Sequence, residues 1–251
     1  MLKIFIPRYQ VNPHFGLSKI KIEIKAGEIY TLVGKSGSGK STVAHIVVGL
    51  TKCEGASILV NQLELNGGID RLIPQFKQAG YVPQNLHLKP HHTVLDYLAM
   101  LFQRLPHKEK EKTIKYYIRL FHIKHLLHTK IIQLSGGERQ KIALLEAVSQ
   151  PIEFLVLDEP FSQLDTEQKI EFTTIIQELI AHKKIPCLLI SHDLLDILKM
   201  SDKLGVIKNG KIAFQGKWEN FWNSKNKIAN SLKQAILNWK IETDILLNNQ
   251  T

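Results

Sequence analysis

The sequence predicts an α/β fold with a mostly parallel sheet, an N-terminal antiparallel β portion and an inserted α-helical subdomain. Three observations carry this reading. Short apolar runs at 29–33, 154–157 and 187–190 have the length and character of buried strands. Helix-like stretches at 40–50 and 166–182 separate them, and strand–helix alternation implies a parallel sheet. Between 85 and 149 the alternation gives way to long helical patterns, as an insertion would produce.

Each element follows from local pattern. Ile20, Ile22 and Ile24 alternate with polar residues and read as an early strand, ended by the turn Ala26-Gly27-Glu28. The run 29–33 leads into a glycine-rich stretch, and the helix after it stops near Gly49. A strand at 57–60 precedes a loop with Asn66-Gly67-Gly68. Val94, Leu95, Leu98, Leu101 and Phe102 give 93–104 helical spacing, and 108–127 continues in the same style. Residues 206–207 and 211–214 flank Asn209-Gly210 as a hairpin. The tail offers one helix with Ile228, Leu232, Ala235, Ile236 and Trp239 on one side, a pattern that suits core packing better than a partner contact. One domain is expected: core segments 1–84 and 150–215, a helical insertion at 85–149 and a helical tail at 216–251.

Composition narrows the class. The chain has 251 residues, enough for one large α/β domain, with 44% hydrophobic and 22% charged residues, as in ordinary globular proteins. No apolar run approaches the roughly 20 residues of a membrane helix. The first eight residues lack the longer apolar region and cleavage site of a signal peptide, so a cytoplasmic location is expected. Cys53 and Cys187 read as reduced, unpaired thiols without zinc spacing. The net charge of +10 is locally dense, with eight Lys or Arg against two Glu from 103 to 130. A solvated helical face explains that excess, and nearby anionic lipid headgroups are the sharper alternative. Nucleic acid fits less well, because no aromatic-rich pattern accompanies the charge.

The chemistry begins with Gly34-Lys35-Ser36-Gly37-Ser38-Gly39-Lys40-Ser41, followed by Thr42. It lies between a strand and a helix, the context that confirms a phosphate loop. The glycines allow a tight curve whose backbone N–H groups surround phosphates, and the helix N-terminus adds partial positive charge. Lys40 can reach the β and γ phosphates, and the Ser41 hydroxyl can ligate Mg²⁺. Downstream, the strand 154–157 delivers Asp158 and Glu159 to its C-terminal edge, where ligands bind in open α/β sheets. Asp158 can hold Mg²⁺ through its water shell, and Glu159 can polarise an attacking water.

Leu134-Ser135-Gly136-Gly137-Glu138-Arg139-Gln140, shortly before that strand, makes the reading specific. The chain resembles the ATPase subunit of an ATP-binding cassette (ABC) transporter over roughly residues 8–216, and this segment matches the family signature. The resemblance implies a RecA-like P-loop NTPase core. It also implies that Ser135, Gly136 and Gly137 form a second anion cradle, gripping the γ-phosphate bound by an opposite subunit. Where the family most often has Gln, this chain has Glu138, and a carboxylate there is expected to point to the ribose or to solvent. Gln84, in Gly80-Tyr81-Val82-Pro83-Gln84, resembles the Q-loop glutamine that touches Mg²⁺ and water. Ser162-Gln163-Leu164-Asp165 resembles the D-loop, with Asp165 at the subunit interface. Ser191-His192-Asp193 resembles the switch histidine segment, whose His192 meets the γ-phosphate. Alignment of 17–28 with the family leaves Tyr9 as the adenine-stacking aromatic and Phe15 as its fallback.

The same resemblance implies ATP and Mg²⁺ as ligands, and a homodimer or paired ATPase subunit as partner. It further implies a membrane permease that holds the chain on the inner face of the cell membrane. Pro90-His91-His92-Thr93-Val94 and Ser201-Asp202-Lys203 resemble importer segments, which points to uptake and to a solute-binding protein. Export or lipid and lipoprotein extrusion is the alternative within transport. A non-transport cassette in DNA repair fits poorly, since only about fifty residues separate Gln84 from Ser135, without heptads or cysteine clusters. His87, His91, His92, His107, His122, His125 and His128 invite a metal reading, but three-residue spacing drifts around a helix and no Cys stands nearby.

Overall fold

Strands with no polar face must be covered on both sides. In this computed structural model β3 (Ile29–Val33), β7 (Phe154–Asp158) and β8 (Cys187–Ile190) meet that condition, with every residue buried. The structure describes residues 1–65, 76–192 and 200–224, together with 230, 233 and 234. The three strands are the centre of a sheet completed by β6 (Ala79–Val82), β9 (Lys203–Lys208) and β10 (Lys211–Lys217). Its order is β10-β9-β3-β8-β7-β6, parallel except for the β9–β10 hairpin. A second sheet, all antiparallel, runs β2-β1-β4-β5 from β1 (Leu2–Asn12), β2 (Phe15–Ile24), β4 (Ser57–Val60) and β5 (Leu63–Glu64).

Successive side chains on a strand point to opposite faces, so the central sheet divides the core in two. Leu155, Leu157 and Leu189 face one cluster, which they share with α2 (Val94–Leu101), α3 (His107–Leu120), α4 (Gly136–Val148) and α5 (Thr166–Lys183). Phe154, Val156, Leu188 and Ile190 face the other, with α1 (Lys40–Val47) and the inner side of the antiparallel sheet. A short α6 (Trp218–Asn223) follows β10, anchored by the fully buried Phe221.

Among the described residues the expected elements are present with shifted ends. The helix from 40 ends at Val47, and Gly49 turns the chain with φ 76°. The stretch 108–127 breaks after Leu120, where His122 takes φ 54°, and a 3₁₀ turn at Lys124–Leu126 follows. β6 is a strand that apolar patterning does not announce. At its Gly80, a Cβ would lie 2.8 Å from the Ala147 carbonyl oxygen and 2.6 Å from Ile152 Cδ1, so glycine lets α4 close on the sheet. Cys187 is fully buried, which pushes its thiol up, and Cys53 is half-buried; both are free thiols. The Asn66-Gly67-Gly68 loop, Asp193 and the expected apolar side of the tail helix (Ile228, Leu232, Ala235, Ile236 and Trp239) lie outside the described residues.

Candidate functional site

The phosphate loop sits between β3 and α1, as its sequence context requires. Gly39 occupies the N-cap of α1 with φ 104°, and no side chain caps the helix. A side chain at Gly39 would be strained by that φ, and its Cβ would meet Leu17. The first N–H groups of α1 are therefore presented bare, as an anion site needs. Lys40 is almost fully buried, and its Nζ donates to the carbonyls of Gly34 at 2.8 Å and Lys35 at 3.3 Å.

The β7 end brings the carboxylates. Asp158 is 2% exposed, and burial pushes its carboxyl above the ordinary range. The Ser41 hydroxyl, which donates to Oδ1 at 3.2 Å, opposes that rise, as do His45 and Lys40. Glu159, 8% exposed, has a left-handed backbone with φ 53°, unusual for a residue with a Cβ. Its N–H donates to the Ile190 carbonyl at 2.9 Å, which ties the C-terminal end of β7 to that of the parallel β8. The side chain is held from two sides, with Oε2 2.7 Å from His192 Nδ1 and Oε1 3.9 Å from Lys40 Nζ. A strained carboxylate fixed between a cation and an imidazole is a common signature of function.

A cavity of about 910 Å³ opens over this constellation. Its walls include Gly34, Lys35, Ser36, Gly37, Gly39, Lys40, Ser41, Thr42, Gln84, Glu159 and His192. Ser38 lies beneath, with its hydroxyl buried and unpartnered among the described residues. Asp158 joins the site through its bond to Ser41. Thus the loop, both carboxylates, Gln84 and His192 come together in one place.

Tyr9 does not line this cavity, whereas Phe15, Val11 and Asn12 do. Cross-strand partners share a face of the sheet. Tyr9 pairs with Leu17, which is 1% exposed, and so packs half-buried against the inner cluster. The register shifts between Gln10 and Asn12, and this irregularity sets Phe15 at the hairpin end beside the loop. A positional alignment across the hairpin could not see that shift. On this geometry, Phe15→Ala is expected to weaken nucleotide binding about tenfold, the scale of a base–aromatic stack, while Tyr9→Ala leaves it unchanged. Titration with a fluorescent nucleotide checks both, and the reverse ranking would return the role to Tyr9.

The signature segment stands apart from the cavity. Ser135 is the N-cap of α4, its Oγ accepting from the Glu138 N–H at 3.3 Å, and the Glu138 carboxylate accepts from the Ser135 N–H at 2.7 Å. This reciprocal pair is a capping box. It gives Glu138 a use the expectation did not include: the partly exposed carboxylate folds back on its own helix start. Glu138 Oε1 also lies 3.8 Å from His125 Nε2. Ser135 is exposed, and Gly136, Gly137 and Glu138 share its end of α4 without lining the phosphate-loop cavity. Asp165 is likewise outside the cavity and caps α5, accepting from the Gln168 N–H at 2.9 Å. Deeper in α4, Lys141 meets Glu171 of α5 at 2.6 Å, and Glu171 meets His122 at 3.1 Å. Burial would raise the Glu171 carboxyl, but these two partners hold it below the usual range.

Comparison with known proteins places this arrangement. Residues 17–162 match the family model described as ABC transporter. The chain is 34% identical over 223 residues to the molybdenum import ATP-binding protein ModC of Rhodospirillum rubrum, covering 87% of this chain and 59% of that one. It is 31% identical over 207 residues to the molybdate/tungstate import ATP-binding protein WtpC of Pyrococcus horikoshii, covering 80% and 58%. It is 31% identical over 219 residues to the sulfate/thiosulfate import ATP-binding protein CysA of Neisseria meningitidis serogroup B, covering 83% and 60%. The chain thus spans less than two thirds of the length of these relatives. Among solved structures, a nucleotide-free ATP-binding cassette from an ABC transporter superposes with a TM-score of 0.76 at 22% identity, covering 89% of this chain and 94% of that one. That likeness shows the fold: a P-loop cassette with an antiparallel sheet beside a parallel one.

Proposed function

The chain belongs to the ABC transporter family, and from that premise we propose that it is the ATP-binding and ATP-hydrolysing subunit of an uptake transporter. In this reading two copies, or this chain and a paired ATPase subunit, meet head to tail around two ATP molecules. One observation carries it: within one chain the cavity gathers Lys40, Ser41, Gln84, Glu159 and His192, but not the signature residues Ser135 and Gly137. The anion cradle at the start of α4 then serves the cavity of a second copy. Uptake is supported by three relatives whose names describe import ATP-binding proteins. Residues 85–149 form the helical subdomain that meets a membrane permease, and a solute-binding protein delivers the cargo. No described helix is long and apolar enough to cross a membrane. In this reading the permease holds the chain at the inner face of the cell membrane.

The donor set fits Mg²⁺. Ser41 Oγ and the buried Asp158 carboxylate offer adjacent hard oxygens, and the Gln84 side chain can add a third from the cavity wall. Mg²⁺ bound there supplies charge neutralisation at the β and γ phosphoryl oxygens. Lys40 leaves the loop carbonyls to pair with the same phosphates. Glu159 takes the proton of the attacking water, and His192 orients the carboxylate through their 2.7 Å contact. Little covalent chemistry is asked of the protein beyond positioning and charge stabilisation. Closure of the dimer shifts the population toward one permease state, because the closed form binds ATP more tightly.

Lys40→Ala is expected to abolish measurable ATP binding while leaving the melting temperature of the chain near that of wild type. Equilibrium binding with labelled ATP tests this, and unchanged affinity would contradict the phosphate-loop assignment.

A further inference from the structure

We propose that the outward face of α3 is a docking surface for an anionic lipid bilayer. The helix buries Tyr117 and packs Ile114, Ile118 and Leu120 against the core. On its opposite side Lys108, Lys112, Lys115 and Arg119 recur at i, i+4, i+7 and i+11. At 3.6 residues per turn they fall within an arc of about 60°, in a row about 16 Å long. All four are exposed, and none has an ion-pair partner among the described residues. Arg104, Lys124 and Lys130, before and after the helix in the chain, are also exposed.

Two carboxylates stand near this row without an ion pair of 4 Å or less to it among the described residues. Glu111 lies at its edge and meets His107 at 3.8 Å, and Glu109 points to the flank. From α5, Glu178 acts on Tyr116, whose phenol is raised by burial first and by that carboxylate second. Like charges at i, i+3 and i, i+4 repel and weaken a helix. The row gains little from its own helix, so an anionic surface outside the chain can engage it.

A bilayer surface fits that complement. A straight row on a convex helix can lie along a plane of phosphate headgroups, and Lys and Arg are attracted to anionic leaflets. Single-stranded nucleic acid sites add a groove and aromatics on which bases stack. Here the flanking Tyr116, exposed and beside the His182 ring, is a single aromatic rather than a run of them. The inference rests on the transport reading only in placing a membrane within reach of the chain.

The test is cosedimentation of the full chain with vesicles, without nucleotide or permease. Vesicles of phosphatidylcholine alone are compared with a 3:1 mixture of phosphatidylcholine and phosphatidylglycerol. The wild type is expected to bind only the mixed vesicles and to release with added salt. The fourfold variant K108Q/K112Q/K115Q/R119Q is expected to bind at least ~100-fold more weakly, with unchanged melting temperature and ATP turnover. A control that neutralises the exposed Lys3, Lys25, Lys208 and Lys211 instead should keep most of the binding. Equal loss in the control, equal binding by the fourfold variant, or tighter binding to a DNA duplex than to the mixed vesicles would overturn the proposal. So would a wild type that ignores the mixed vesicles, and normal ATP turnover in that sample would leave the transport reading standing.

Discussion

Replacing Glu159 by Gln is expected to lower ATP turnover at least ~100-fold, the scale for losing a positioned general base, and to trap the protein as an ATP-bound dimer. The substitution keeps the shape of the side chain. A glutamine oxygen can still meet His192 Nδ1, so the cavity and its nucleotide affinity persist. What disappears is the basic carboxylate, which in the native chain lies 3.9 Å from Lys40 Nζ and 2.7 Å from His192. ATP then binds and closes the dimer but is not consumed. Steady-state phosphate release and size-exclusion chromatography in ATP read the two effects together. Near-normal turnover would remove Glu159 from the role.

Ser135→Arg is expected to abolish ATP-driven dimerisation while sparing ATP binding by the single chain. Ser135 is exposed and lies outside the phosphate-loop cavity, so nothing in one copy's nucleotide contacts changes. The arginine puts bulk at the mouth of the cradle that a second copy must engage. It also removes the Oγ that accepts from the Glu138 N–H, a cap worth about 1 kcal/mol. The Glu138 carboxylate still accepts from the residue 135 N–H, so the helix start keeps half of its box. A modest fall in melting temperature with intact ATP affinity and no dimer is the expected pattern. A variant that still dimerises with ATP would undo the shared site.

These two residues also mark what sequence can and cannot reveal. Buried parallel strands are legible because they are continuously apolar, as in 154–157 and 187–190. Ala79–Val82 is not, since its glycine is there for the close approach of α4 rather than for strand propensity. The cluster of Lys40, Ser41, Gln84, Asp158, Glu159 and His192 is legible because motifs fix each residue at the end of a strand or the start of a helix. The left-handed backbone of Glu159 is not, because a carboxylate side chain gives no sign of a positive φ. Phe15 was ranked behind Tyr9 because a one-residue register shift in a hairpin leaves no mark on composition. The Glu138 cap, by contrast, was written in the chain as Ser135-x-x-Glu138, a pattern with a local electrostatic use that competes with any role at a distant phosphate.

The central claim is that one chain holds only half of each reaction centre, and the direct measurement is ATP turnover per chain across a dilution series, with light scattering on the same samples. Turnover per chain should fall as the dimer dissociates and approach zero where only monomer remains. A constant turnover per chain in samples shown to be monomeric would contradict it.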